Sequence, residues 1–152
     1  MRRVSATLYN ATILRLAASI PHHERLPDPM ATVEKRSPIC GSRVTVDVNL
    51  DDDGRVAELG LLVRACALGQ ASSSIMGANV VGATAQELRE VRDAVRAMLT
   101  GGGAPPEGRF ADVAVLQPVR DYKARHASTL LTFEAVVDAL EQIEAKKTVE
   151  QA

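Results

Sequence analysis

Apolar and polar residues alternate along the chain in two different rhythms, and each rhythm predicts its own kind of element. In Arg43–Leu50 every second residue is apolar, with Val44, Val46, Val48 and Leu50 on one side. That period of two predicts a half-buried strand. Asp51-Asp52-Asp53-Gly54 follows as a turn signal, and Arg55–Val63 reads as the returning strand of a hairpin. Elsewhere the spacing is helical. Leu8, Ile13, Leu16 and Ile20 predict a helix over 5–20 that Pro21 closes. The stretch Cys66–Val81 is rich in small residues around Leu68, Ile75 and Met76 and predicts a buried, closely packed helix. Thr84 with Glu87 makes a capping-box pattern before the stripe Leu88, Val91, Val95 and Met98, and Gly101-Gly102-Gly103 ends that helix. A last helix is expected from about Lys123 to Lys146, with Leu130, Leu131, Val136, Val137, Leu140 and Ile143 inward.

Two stretches carry no clear rhythm. Pro21 to Pro38 is rich in Pro and charge and is assigned as loop. Residues 101–119 are also assigned as loop, with a short apolar piece at Val113–Leu116. No linker or internal repeat divides the chain, so 1–152 is expected to be one domain, with 147–152 as a frayed polar tail.

Composition narrows the function. The chain has 152 residues, enough for one real core, with 46% hydrophobic residues. Only 3% are aromatic and there is no Trp, which argues against base-stacking platforms. A net charge of −1 gives no general pull toward nucleic acid or acidic membrane. No apolar run approaches the roughly 18 residues of a membrane span. Arg2, Arg3 and Arg15 precede the first acid, but Asn10, Thr12 and Arg15 interrupt any signal-like apolar run. The expected location is the cytoplasm, where two cysteines are metal-binding, reactive or simply buried rather than a disulfide framework.

The hairpin brings those two cysteines to one end. With a turn centred near Asp53, Cys40 falls opposite Cys66 to within about one residue. Directly opposed strand residues lie about 4.5–5.5 Å apart at Cα, close enough for a shared ligand or a disulfide. Cys66 also opens a predicted helix, whose N-terminal dipole favours a thiolate, and Arg43 and Arg64 add positive charge nearby. A small buried residue and an incidental loop thiol remain the competing reading of the same pair.

Other candidate sites read as structure. Asp51–Asp53 lacks the spaced acids of a calcium loop, and Gly101–Gly103 lacks the Lys-Ser/Thr of a phosphate loop. His22-His23 reads as surface, and Ser72-Ser73-Ser74 as helix packing.

The motifs around the cysteines carry a resemblance. Ser37–Ser42 (SPICGS) resembles the Asn-Pro-x-Cys-Gly-Asp motif of the U-type iron–sulfur scaffolds, the group of the NifU N-terminal domain, IscU and SufU. Ala65–Met76 (ACALGQASSSIM) resembles their Gly-Cys-x-x-x-x-Ala-Ser-x-Ser-x-Met motif. Leu8-Tyr9 resembles their N-terminal segment, and Val119–Val136 and the stretch between Gly101 and Pro118 resemble the SufU branch. The resemblance implies an α+β fold: a small three-stranded antiparallel sheet packed against four to five helices. It implies a non-enzymatic scaffold for a transient iron–sulfur cluster or zinc. A cysteine desulfurase is then the expected sulfur donor, and iron–sulfur proteins the recipients.

Carried over, the first two family cysteines are Cys40 and Cys66. The family aspartate falls at Ser42. An ungapped match puts the third cysteine at Ser128, whereas a one-residue shift puts it at Ala127 and aligns His126 with the histidine of the IscU branch. Cys40, Cys66 and His126 are therefore the candidate metal-site residues. A thiol carrier of persulfide sulfur, or a member that has lost the site and acts by contact alone, fits the same residues.

Overall fold

The computed structural model describes residues 8–38 and 41–151, the last of these without its side chain. Among them are four α-helices and three strands in the order α1 (Ala11–Ala18), β1 (Ala31–Arg36), β2 (Arg43–Leu50), β3 (Val56–Arg64), α2 (Ala67–Asn79), α3 (Ala85–Thr100) and α4 (His126–Gln151). A 3₁₀ segment, Gly108–Asp121, and a short 3₁₀ turn, Lys123–Arg125, lead into α4. The sheet is antiparallel with strand order β1-β2-β3. The α+β fold with a three-stranded antiparallel sheet is thus the one found.

The hairpin forms where the alternation places it. Asp51 Oδ1 accepts from the Asp53 and Arg55 amides, and Gly54 supplies φ +80° at the turn. Valines 44, 46 and 48, with Ala31, Val33, Leu59 and Leu61 opposite them, form the buried face of the sheet. On that face α4 packs against β1 and β2, and α2 against β3.

The first strand corrects the assignment of 21–38 as loop. Ala31 and Val33 do alternate inward, but Thr32, Glu34, Lys35 and Arg36 are polar. Six residues with only two apolar ones give too weak a period to stand out; pairing with β2 supplies what local propensity lacks. The rest of that stretch crosses the polar face of the sheet. Gly60 makes room for it, since a Cβ there would meet Glu24 O at 2.5 Å. Asp47, fully buried under the crossing, receives hydrogen bonds from Arg25 Nε at 2.6 Å, Thr32 Oγ1 at 2.6 Å and Leu26 N at 3.0 Å.

The assignment of 101–119 as loop with a short apolar piece at Val113–Leu116 is corrected as well. Phe110, Val113, Leu116 and Val119 are all buried and recur every third residue. That is the period at which a 3₁₀ helix stacks its side chains on one face. The segment lies against α2 and α3.

The remaining helices follow the pattern with shifted ends. Asn10 Oδ1 caps α1 through Ile13 N at 3.0 Å, so that helix begins at Ala11; residues 5–7 of the expected 5–20 helix lie outside the described residues. Thr84 Oγ1 accepts from Glu87 N at 3.1 Å, but the Glu87 side chain pairs with Arg109 rather than completing the capping box. Helix α4 continues to Gln151, beyond the expected Lys146. Among the described residues no helix is long and apolar enough to cross a membrane.

Candidate functional site

Cys66 is the N-cap of α2, half-buried, with its side chain free of any capping bond. What places it is close packing behind it. Gly69, one turn into α2, sits so near the start of α4 that a Cβ would meet Ser128 O at 3.2 Å and Ala65 Cβ at 2.6 Å. Of the three serines of α2, Ser73 ties the same contact. Ser72 and Ser73 donate back to Leu68 O and Gly69 O. With its proton so used, Ser73 Oγ accepts from Thr132 Oγ1 of α4 at 2.5 Å. Ser74 donates to Ser19 O beyond the end of α1. These buried serines are packing groups, each with a partner.

The consequence of this packing is a meeting between Cys66 and Ser128. Cys66 Sγ lies 3.6 Å from Ser128 Oγ. Ser128 is buried on the first turn of α4, and its hydroxyl donates to Arg125 O at 3.2 Å. That leaves the Ser128 oxygen to accept from the Cys66 thiol. Arg125 O also accepts from Thr129 Oγ1 at 2.8 Å, so it stays satisfied if Ser128 turns its proton toward the sulfur.

His126 is engaged elsewhere. Its Nε2 lies 3.0 Å from Val119 O and 3.1 Å from Arg120 O. Both partners are carbonyls, so Nε2 carries the proton and donates, leaving Nδ1 with the free lone pair. Ser128 lies two residues, about 200° of helical turn, beyond His126. The two alignments therefore have distinct outcomes: the ungapped one places the third family position on the residue that meets Cys66.

Cys40 and its neighbour Ile39 lie outside the described residues. The chain on either side is placed. Ser37 N donates to Ser42 O at 2.8 Å and Gly41 N to Ser37 O at 3.1 Å, closing a turn between β1 and β2. Ser37 and Ser42 are buried in it. Beyond the turn β2 pairs with β3 from Arg43↔Arg64 to Asn49↔Glu58. Continued by two residues, that register sets position 66 against position 41, one residue from Cys40.

The same end of the sheet carries a row in which Arg36 joins Arg43 and Arg64. Arg36, Arg43 and Arg64 are direct neighbours across all three strands. With Ser37, Pro38 and Gly41 they line a cleft of about 490 Å³. His22 and His23 are exposed, as expected, yet they cover the outer edge of β3: His22 O accepts from Leu61 N and His23 Nε2 from Val63 N. Among the described residues no three His, Cys, Asp or Glu side chains converge as a metal site would require.

Comparison with known proteins gives this geometry a setting. The profile of the family described as NifU-like N terminal domain matches residues 9–129. A crystal structure of a nitrogen-fixing NifU-like protein (N-terminal) from Brucella abortus superposes with a TM-score of 0.91 at 52% identity, covering 94% of this chain and 99% of that one. The crystal structure of a protein described as an iron–sulfur cluster assembly scaffold for the SUF system, from Fervidobacterium islandicum, shares the fold with a TM-score of 0.81 at 23% identity, over 90% and 98% of the two chains. The iron–sulfur cluster assembly scaffold protein IscU of Thermotoga maritima is 25% identical over 136 residues, 90% of this chain and 94% of its own. The protein of the same name from Streptococcus pyogenes is 25% identical over 122 residues, 80% and 76% of the two chains.

Proposed function

Because the chain belongs to the NifU-like N-terminal domain family, we propose that it serves as an iron–sulfur cluster assembly scaffold with a reduced set of ligands. The observation that carries this reading is the 3.6 Å approach of Cys66 Sγ to Ser128 Oγ. On the ungapped match this contact links the second cysteine position of the family motif to the third, which supports a kept frame with altered donors at Ser128 and Ser42. The scaffold relatives support the same reading by name.

The donors favour transient cargo over a resident metal. Cys40 and Cys66 supply the thiolates. Ser42 and Ser128 offer neutral hydroxyls, and His126 can join only through Nδ1 while Nε2 is held by two carbonyls. This falls short of the four good ligands of a structural zinc, and iron–sulfur clusters favour thiolates above all. A site with two thiolates and weak companions holds iron or a nascent cluster loosely and gives it up readily. On this reading the protein turns over no substrate. It works in the cytoplasm, takes sulfur from a cysteine desulfurase and passes its cargo to apo iron–sulfur proteins.

A second reading rests on the Ser128 hydroxyl itself. The Cys66 thiolate would attack the outer sulfur of a partner's cysteine persulfide. The partner's S–S bond breaks, its thiolate leaves, and a persulfide forms on Cys66 with no net redox change. Ser128 can turn its proton to the thiolate because Thr129 keeps Arg125 O satisfied.

Anaerobic reconstitution with ferrous iron, cysteine and a desulfurase tests the first reading. The expected result is bound iron with acid-labile sulfide, chelatable within minutes and absent in Cys66→Ser. Iron and sulfide no higher than in the Cys40→Ser/Cys66→Ser double variant would refute it. Mass spectrometry then decides for the carrier reading if Cys66 alone gains one sulfur.

A further inference from the structure

The outer face of the sheet is polar, and the 21–30 crossing covers only its middle. Two cross-strand rows stay open at the end that leads into the turn between β1 and β2. One is Glu34–Thr45–Leu62 and the other Arg36–Arg43–Arg64. Like charges placed directly opposite one another across a sheet repel. Here three arginines stand in register side by side with little relief. Glu34 alone reaches two of them, at 3.5 Å from both Arg36 and Arg43. Arg64 has no carboxylate within 4 Å among the described residues and is exposed. One carboxylate shared between two arginines, and none at the third, leaves the row with unmatched positive charge for an outside partner.

We infer that the Arg36–Arg43–Arg64 row is a docking strip for an acidic, extended segment of a partner protein. Strands lie about 4.8 Å apart, so the row spans about 10 Å. That length matches carboxylates two to three residues apart on an extended peptide rather than one compact anion. A guanidinium presents paired donors to a carboxylate, and several such pairs together succeed where a single exposed pair contributes little. In the adjacent row, Leu62 is 42% exposed and gives the segment an apolar contact beside the charges. Charged rims of this kind steer encounter and choose partners. Nucleic acid fits the strip less well, because the chain is net negative and has two Tyr, two Phe and no Trp to stack on bases. The inference does not depend on what Cys66 carries; it concerns how a partner is recognised beside the cysteine-bearing turn.

Fluorescence anisotropy on the full chain tests it. The probe is a labelled nine-residue peptide alternating Glu with Thr around a central Leu, with a Gln-for-Glu peptide as control. The Glu peptide is expected to bind at low salt, to weaken roughly tenfold as surface charges are screened near 0.2 M salt, and to lose at least tenfold in Arg36→Gln/Arg43→Gln/Arg64→Gln. Cys66→Ser should bind it like the natural chain even where cluster reconstitution fails, which keeps the two questions separate. The triple variant should melt within a few degrees of the parent, since it removes both the repulsion and the two weak Glu34 pairs. The inference is overturned if the Gln peptide or the triple variant binds equally well. Full displacement by equimolar phosphate or by oligo-dT would overturn it too.

Discussion

Cys66 Sγ and Ser128 Oγ stand 3.6 Å apart across the junction of α2 and α4. The contact is set by backbone packing at Gly69 and by the Ser73–Thr132 hydrogen bond, not by the two side chains that meet. A thiol at position 128 would therefore arrive beside Cys66 without rearrangement. In Ser128→Cys, iron and labile sulfide retained after reconstitution should resist a chelator at least about tenfold longer, since even indirect changes at metal sites move affinity by about 10–100-fold. Equal loss rates in the variant and the natural chain would show that position 128 takes no part in the site.

Gly69 makes the opposite prediction. Gly69→Ala places a methyl group 2.6 Å from Ala65 Cβ and 3.2 Å from Ser128 O. Overpacking of this kind costs about 1–3 kcal/mol. Urea unfolding should show that loss, and Cys66 should react faster with a disulfide reagent as the helix junction opens. A variant with unchanged thiol reactivity would mean that Cys66 is shielded by something other than the α2–α4 contact.

Asp47 ties the 21–30 crossing to the sheet, and its protonation is linked to stability. Burial pushes its carboxyl up, but hydrogen bonds from Arg25, Thr32 and Leu26 N, with the Arg25 charge, together hold it below the ordinary value of 3.8. A depressed folded value means the unfolded chain binds the proton first. The stabilisation is complete above pH ~4 and is lost as pH falls through the folded value. Asp47→Asn should cost about 2 kcal/mol at neutral pH, the scale of hydrogen bonds to a charged group. It should also flatten the stability profile below pH ~4, read by urea unfolding at several pH values.

The 3₁₀ segment should behave as core on one face only. Leu116 is fully buried in its row of every third residue, whereas Asp112 is exposed. Leu116→Ala is expected to cost about 3 kcal/mol, and Asp112→Ala to stay within about 0.5 kcal/mol. Equal melting temperatures for the two variants would show that the segment does not pack as one face.

Strong periods were legible in the sequence and weak ones were not. The alternating residues of β2 and the stripe Leu88–Met98 announced their elements because four positions agreed in each. Strand β1 did not, because two inward residues cannot make a period and its partner strand supplies its order. The 3₁₀ segment was not legible because a spacing of three, shown by Phe110, Val113, Leu116 and Val119, fits neither the period of two of a strand nor the 3.6 of an α-helix. At the site, motif spacing carried Cys66 and Ser128 to one place. The orientation of His126 was beyond the sequence, since it depends on two carbonyls six and seven residues earlier. The arginine row was hidden for a similar reason: Arg36, Arg43 and Arg64 are scattered along the chain, and only the sheet register aligns them.

The serine bonds within α2 and across to Thr132 bear on how such a protein can change over time. They fix where position 128 stands whatever atom its side chain ends in. Oxygen and sulfur are alternatives at a single branch point, separated by one substitution and supported by the same backbone. The chemistry of the junction can therefore drift from firm ligand to mild hydrogen-bond partner and back, while selection on folding registers almost nothing.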